Sequence, residues 1–361
     1  MKPATLMVAV LALLVAGVAQ AKADFAVIAP PGSTDTTLNG ISGNTVFGNY
    51  VSNGAGPYGF VYDSTNYTTI NPTGSTGTFV EGVSGNNVVG NYSNGLQILG
   101  FVYDGSNFTT IPTGSNITYV NGISGNTVFG EYSVGGAAGF RGFLYDGTSL
   151  TTINAGSDTY VTGVSGNNVV GTYYSNGVQH GFIYNGTSYT TIAPTSSNTY
   201  VTGVSGNNVV GNYNAGGPAL GFLYNGTSYT SIAPPGSDDS VVNGISGNII
   251  FGNYDVLSGP NAGTYGFIYD GITYTTIAAS GPTNVTGVSG NSVVGNYSDA
   301  NGTSYGFLYQ PGSNGGGGTL TTPEPASLTM LGIGIAGMTW YGWRRRAQEV
   351  RTEVQYGATS G

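Results

Sequence analysis

A glycine-led hexapeptide, x-G-(V/I)-S-G-N, recurs along the chain, its first glycine falling at Gly40, Gly82, Gly122, Gly163, Gly203, Gly244 and Gly287. Successive copies are 42, 40, 41, 40, 41 and 43 residues apart. A period this regular means one supersecondary unit repeated and stacked on itself. Each unit carries four short strand signals. In the fifth unit they are Thr199–Val204, Asn208–Tyr213, Gly221–Tyr224 and Ser228–Ile232, rich in β-branched and aromatic residues. Ser205-Gly206-Asn207 marks a first hairpin and Asn225-Gly226 a last one. Asp104-Gly105, Asp146-Gly147, Asn185-Gly186 and Asp270-Gly271 fill the last place elsewhere. Asn-Gly and Asp-Gly suit a two-residue type I′ turn, so the unit reads as an antiparallel four-stranded meander.

The middle strands place Val209-Val210 and Phe222-Leu223 side by side, so both faces are apolar. A sheet buried on both faces lies between two other sheets. Four-stranded sheets of about 40–45 residues stacked around an axis form a β-propeller. The alternative for such a repeat is a β-helix. The strand G-F-(V/I/L)-Y occurs seven times, starting at Gly59, Gly100, Gly142, Gly181, Gly221, Gly266 and Gly306. The fourth strand follows it only six times, ending at Ile70, Ile111, Ile153, Ile192, Ile232 and Ile277. The missing copy is at the other end: Phe25–Ser33 aligns with Tyr229–Ser237. An outer strand at the start of the mature chain thus closes the last blade. The expected fold is all-β, a seven-bladed propeller over residues 24–310.

Both ends of the chain read as processing segments. Lys2, the apolar run Leu6–Val18 and two overlapping small-residue patterns at Ala19, Ala21 and Ala23 form a secretory signal peptide over residues 1–23. Residues 311–322 are a Gly-rich linker. Pro323-Glu324-Pro325 then precedes the apolar run Ala326–Trp343, with Trp340, Tyr341 and Trp343 at its end, and Arg344-Arg345-Arg346. Eighteen helical residues rise ~27 Å, enough for a thin bilayer core, with aromatics and arginines at the cytoplasmic edge. The glycines between Gly332 and Gly337 lie within this run and lack a preceding strand, so they suit close helix packing, not nucleotide binding. Residues 347–361 form a tail.

The segment 323–346, with its order of P-E-P, apolar helix and arginine cluster, resembles the PEP-CTERM sorting signal recognised by exosortases of exopolysaccharide-producing Gram-negative bacteria. The resemblance implies an exosortase-type partner acting at Pro323, Glu324, Pro325, Arg344, Arg345 and Arg346. It also implies an exported chain, held transiently in the inner membrane with the propeller on the periplasmic side, then moved to the surface or matrix. Over residues 25–309 the core G-F-(L/I/V)-Y-(D/N)-G-x-x-(Y/F)-T-T-I resembles extracellular HAF-type repeats. That resemblance implies a β-rich surface protein and transfers no catalytic residue. WD40 and kelch signatures are absent.

From Asp24 to Thr322 there are thirteen acidic residues and one basic side chain, Arg141. Without a positive footprint, nucleic acid is excluded as a partner. The absence of cysteine rules out a disulfide framework. No catalytic, cofactor or metal set stands out. The single histidine, His180, reads as a solvated residue of a variable loop. The non-repeating acids Glu81 and Glu131 lie in adjacent units and are the pair that could serve glycoside hydrolysis, but no motif surrounds them and isolated drift in a repeat makes the same pattern. Asp35, Asp158 and Asp238-Asp239 sit in loops without a calcium-loop spacing.

Tyr50, Tyr92, Tyr132, Tyr173, Tyr213, Tyr254 and Tyr297 end every second strand and either stack on sugars or pack between blades. The second connection and the inter-unit link vary, so the face that includes Gly135–Arg141, Ser175–His180 and Asp255–Tyr265 is the candidate working face. The expected function is a non-catalytic surface or matrix protein that contacts a neutral or calcium-bridged polysaccharide. The alternative is a lectin-like module with a defined glycan, and a glycan-active enzyme ranks third.

Overall fold

A computed structural model describes residues 24–311, apart from 136–138, 196–197 and 215. Twenty-eight strands form seven four-stranded sheets. The inner strands are β2 (Asp35–Ser42), β6 (Gly77–Ser84), β10 (Thr118–Ser124), β14 (Thr159–Ser165), β18 (Thr199–Ser205), β22 (Asp239–Ser246) and β26 (Thr283–Ser289). They begin blades 1 to 7 and touch one another in sequence around the ring, with β26 against β2. The signal peptide and the C-terminal apolar segment lie outside the described residues.

Closure follows the expected permutation. β1 (Asp24–Ile28) pairs antiparallel with β28 (Ser304–Gln310), from Asp24 opposite Gln310 to Ile28 opposite Gly306. The last blade therefore has the order β1-β28-β27-β26, with β27 spanning Ser292–Ser298.

Hydrophobic packing is organised by the seams between blades. In β19 (Asn208–Tyr213), Val209 joins Val170 and Ile192 of blade 4, whereas Val210 joins Val242 and Ile250 of blade 6. Consecutive apolar residues thus serve opposite faces, because alternate strand side chains point to opposite sides. Phe60, Phe101, Phe143, Phe182, Phe222, Phe267 and Phe307 from the third strands are the largest buried side chains. Each fully buried side chain of this kind is worth about 1.5–3 kcal/mol before entropic offsets. The start of the chain feeds two seams. Ile28 packs with Leu38 and Val46 of blade 1, while the Phe25 ring lies 4.9 Å from Tyr309 and 5.6 Å from Phe307.

Every inner strand carries a bulge at the residue before the repeat glycine; in blade 5 the register skips Thr202 between Val201 and Gly203. The bulge pushes the Tyr200 carbonyl toward Gly211, where a Cβ would collide with it. This accounts for the glycine in the middle of each second strand.

The two hairpin types differ from each other. Ser205 pairs with Asn208 across Gly206-Asn207, and Gly206 alone has positive φ (58°), the arrangement of a type II′ turn. The last hairpin is not the two-residue type I′ turn that Asn-Gly suggests. Tyr224 pairs with Tyr229, which leaves four residues in the loop. Asn225 Oδ1 accepts hydrogen bonds from the backbone N–H of Thr227 (3.0 Å) and Ser228 (2.9 Å), so the side chain organises the loop. Paired positive φ values occur instead at Asn53-Gly54 (50° and 73°) and Asn176-Gly177 (51° and 79°), in the second connections of blades 1 and 4.

Candidate functional site

In a meander the first and third connections share one face of the ring, and the second connections and inter-blade links share the other. The variable face is narrower than sequence variation suggests. Strand pairing in blade 4 continues to Ser175 opposite Val178, and in blade 6 to Val256 opposite Gly263. His180 is consequently not a solvated loop residue. It lies half-buried in β16 (Val178–Tyr184), opposite Tyr173, with ring centroids 5.5 Å apart. Its Nδ1 is buried without a hydrogen-bond partner.

Blades 3 and 4 place an aromatic run on this face. Tyr119 and Phe140 are stacked at 6.2 Å, Phe140 and Tyr160 at 5.9 Å, and Tyr160 meets Tyr174 edge-on at 6.5 Å. Phe140 is buried and the tyrosines are half-buried. The run is held from beneath. Asp158 Oδ1 accepts the Phe140 N–H at 2.7 Å, and Arg141 Nη1 donates to the Ser157 carbonyl at 2.8 Å. Exposed Leu96, Ile117 and Val134 extend the apolar character over blades 2 and 3. Sequence reasoning missed Tyr119 and Tyr160 because tyrosine holds their column in only three of the seven repeats. Their column reads Thr37, Phe79, Tyr119, Tyr160, Tyr200, Val241 and Asn284, variable between constant neighbours, and that contrast is the signal that marks it.

Blades 6, 7 and 1 present carboxylates on the same face. Asp239 lies directly across from Asp255, and burial followed by the Asp255 charge raises the Asp239 pKa. Asp255 accepts from Thr264 Oγ1 at 2.6 Å, and Asp238 from the Leu257 N–H at 2.7 Å. Burial also raises the pKa of Asp35. Among the described residues, no three His, Cys, Asp or Glu groups gather as a metal site would require. On the opposite face the turn acids behave in the reverse way. Asp63 is lowered to about 2 by hydrogen bonds from the Thr65 side chain and the backbone of Asn66 and Thr65.

The tyrosines that end the second strands pack in the apolar clusters between blades, and five of their hydroxyls turn to threonines of their own blades. Tyr50, Tyr92, Tyr132, Tyr173 and Tyr254 pair their hydroxyls with Thr69, Thr110, Thr152, Thr191 and Thr276 at 3.0–3.4 Å. At Asn49, Asn91, Thr172, Asn212 and Asn296 the residue just before the tyrosine works as a clamp between blades. Asn296 Oδ1 accepts the Leu38 N–H at 2.7 Å and its Nδ2 donates to the Leu38 carbonyl at 2.9 Å. Asn91 grips Val120, and Asn212 grips Val242, in the same two-bond way.

Glu131 occupies this clamp position in blade 3, buried, and accepts from Asn121 Nδ2, which also donates to the Val161 carbonyl at 2.8 Å. Glu81 is a bulge residue and accepts from Asn91 Nδ2 at 3.5 Å. Each acid is engaged by an amide of the inter-blade polar ring.

The proposed sorting residues Pro323, Glu324, Pro325 and Arg344–Arg346 lie outside the described residues, as do Ala19, Ala21 and Ala23. Residues 321–346 match the family model of the PEP-CTERM protein-sorting motif. That motif implies export and membrane-associated processing by an exosortase-type enzyme. A comparison with curated proteins found no match.

The β-propeller domain of the Trilobed protease from Pyrococcus furiosus is similar in fold, with 12% identity and a TM-score of 0.57, covering 76% of this chain and 95% of that one. It is described as having an open velcro topology, whereas β1 closes the present ring. An acylaminoacyl peptidase of Pyrococcus horikoshii matches at 10% identity and a TM-score of 0.54, and the chain covers 78% of itself but only 52% of that protein. A lectin of Aleuria aurantia, in complex with Fucα1-6GlcNAc, gives 13% identity and a TM-score of 0.40 over 71% of this chain and 99% of that one. The chain is thus a seven-bladed β-propeller that carries a PEP-CTERM protein-sorting motif.

Proposed function

We propose that the protein is a non-catalytic component of the cell surface or extracellular matrix, and that its propeller associates with exopolysaccharide through the variable face. In this reading the propeller first stands on the periplasmic side of the inner membrane and is then released. The observation that carries it is the aromatic run Tyr119–Phe140–Tyr160–Tyr174 on a face that also presents amides, hydroxyls and carboxylates. Tyrosine rings stack on the C–H faces of pyranoses, and Asn, Ser and Thr supply neutral hydrogen bonds. With thirteen acids against one arginine, the body repels anionic polymers, which favours a neutral polysaccharide or one bridged by calcium. Single contacts of this kind are weak, and many anchored copies raise the effective concentration.

The amide partners of Glu81 and Glu131 support the non-catalytic reading. A second reading is a lectin-like module with one defined glycan, favoured by the continuity of the four-ring run across blades 3 and 4. The deciding experiment is a pull-down of the full chain on the producing organism's exopolysaccharide, with and without chelator, beside a glycan array. Retention of neutral polymer that Tyr160→Ala abolishes is expected. Retention only by strongly anionic polymer without calcium overturns the reading, and a single strong array hit favours the lectin. Replacing Glu324 or Pro325 is expected to hold the protein in the inner membrane, and normal surface levels would contradict that expectation.

A further inference from the structure

Blade 7 is where the chain enters and leaves the ring, and both crossings lie on the same face. β28 runs from a second connection toward the face that carries the hairpin turns, and β1 starts beside its end, with Asp24 opposite Gln310. The exit is pinned there. Asn291, in the first hairpin of blade 7, donates from Nδ2 to the Pro311 carbonyl at 2.9 Å, and Gln310 Nε2 donates to Ser292 Oγ at 2.9 Å. The sorting motif matches from residue 321 onward, so little chain separates it from this point.

The aromatic run occupies the other extreme of the domain. Tyr119 and Phe140 belong to blade 3, Tyr160 and Tyr174 to blade 4, and all four stand at the variable ends of their strands. In a ring of seven, blades 3 and 4 are the two that lie three steps from blade 7. The run is therefore across the axis from the exit as well as on the opposite face. A strand of 7 residues such as β28 rises ~23 Å. Two four-stranded sheets at ~4.8 Å per strand add on the order of 30 Å across the ring.

We propose that, while the protein is held in the membrane, the turn-side edge of blade 7 faces the lipid surface and the aromatic run of blades 3 and 4 is the membrane-distal pole. The inference rests on the membrane-held stage of the proposed function, and adds which surface meets lipid and which is left to a polymer. The tether decides it. The twelve residues 311–322 span at most ~40–43 Å when fully extended. Turning the variable face to the lipid would take more than half of that reach for the height of one blade. Charge does not decide it. The flanking turns carry Asp63 and Asp270, and no lysine or arginine stands there to draw the edge to anionic lipid. At the aromatic run the membrane potential is screened, because the Debye length is ~8 Å in physiological salt, so a polymer meets only the propeller.

The test uses the full chain in phosphatidylcholine vesicles with a headgroup-linked acceptor dye, with and without phosphatidylglycerol. The parent has no cysteine, so single thiols at exposed connections carry the donor dye. Ile272→Cys and Leu257→Cys mark the turn and variable faces of blade 6, and Thr148→Cys and Val134→Cys mark those of blade 3. Energy transfer is expected to be strongest from Ile272→Cys and weakest from Val134→Cys in both lipids, with closest approaches roughly 20–40 Å apart. Leu96→Cys, at the exposed second connection of blade 2, is the distal reporter if Val134→Cys melts below the parent. A Gly-Ser insertion of about 30 residues after Gly318 is expected to shrink the gap, because a longer tether holds less firmly.

Equal transfer from the two poles, or stronger transfer from Val134→Cys, overturns the proposal. So does an order that appears only with phosphatidylglycerol, or one that the insertion leaves unchanged. Flotation separates the proposal from the reading beneath it. A full chain that does not float with the vesicles overturns the membrane-held stage and the proposal with it, whereas a floating chain with the wrong order overturns the polarity alone. Flotation that survives removal of residues 323–361 means that the propeller binds lipid by itself, and overturns the tether.

Discussion

The seam between blades 7 and 1 and the seam between blades 4 and 5 hold the same apolar pattern with different polar devices. At the first, Asn296 takes both the N–H and the carbonyl of Leu38, and Ser304 Oγ adds a bond to the Thr36 carbonyl at 3.3 Å. At the second, the clamp residue is Thr172, and a single bond from the Val201 N–H reaches its Oγ1 at 3.3 Å. That seam is held instead at its hairpin end, where Gly206 donates to Ser165 Oγ at 2.9 Å and accepts from Asn168 Nδ2 at 3.0 Å. Both keep the perimeter bond, Ala29 N–H to the Tyr67 hydroxyl and Ala193 N–H to the Tyr229 hydroxyl. The difference teaches what the clamp residue decides. Asparagine gives the two-bond clamp at the seam assembled from both ends of the chain and equally at the 2/3 and 5/6 seams, whereas threonine at the 4/5 seam leaves a single bond there and the polar hold moves to the hairpin end.

The largest effect expected comes from removing the closing strand. Deleting Asp24–Ser33 strips β28 of its outer neighbour and exposes the 7/1 seam, where burial of Ile28 alone is worth about 1.5–3 kcal/mol. Circular dichroism melting is expected to show loss of the cooperative transition, and an unchanged melting temperature would refute the ring closure. Next, Asn296→Ala leaves two buried backbone groups unpaired, for a loss of about 2–4 kcal/mol by denaturant titration. Thr172→Ala costs about 1 kcal/mol or less, and equal losses would erase the contrast between the seams.

In the opposite direction, Thr172→Asn gives the 4/5 seam the amide that blades 2, 5 and 7 use. It is expected to stabilise by about 0.5–1.5 kcal/mol, measured in the same way. The smallest effect is pH-dependent. Asp239 has a raised pKa in the fold, so its protonated form favours folding, and that advantage is lost as pH rises from the unfolded value of 3.8 through the folded one. Asp239→Asn is accordingly expected to raise the melting temperature slightly at pH 7 and to leave it unchanged near pH 3.

Blade number and closure were legible because both are counting problems. Seven copies of one strand against six of another, with the odd copy at Phe25–Ser33, leave one arrangement, and Asp24–Ile28 does pair with Gly306–Gln310. The clamp was not legible, because its partner lies one repeat further on. Within a unit, Asn212 looks like a polar end to a strand, and only the stacked neighbour supplies the Val242 backbone it grips. Asn225-Gly226 misled for a related reason. The dipeptide carries a strong type I′ preference, but the Tyr224–Tyr229 register sets the loop length, and the asparagine side chain then serves the loop. The strand-end tyrosines left two readings open until Thr69 and its equivalents were seen beside their hydroxyls. The aromatic run needed the ring itself, since Phe140 meets Tyr160 only across two blades.

The pairing of Asp24 with Gln310 joins the first and last described strands, and it sets a timetable for folding during synthesis. A chain that emerges amino end first releases β1 long before its partner exists. At ~5–20 residues per second, β1 then waits on the order of tens of seconds for β28. Through that interval six blades can assemble, but the seventh cannot, and the ring stays an open arc with one edge bare. Locking coincides with arrival of the last strand, immediately ahead of the segment that bears the sorting motif. Closure of the ring is thus the last folding event that the order of the chain allows, and it falls next to the segment that bears the sorting motif.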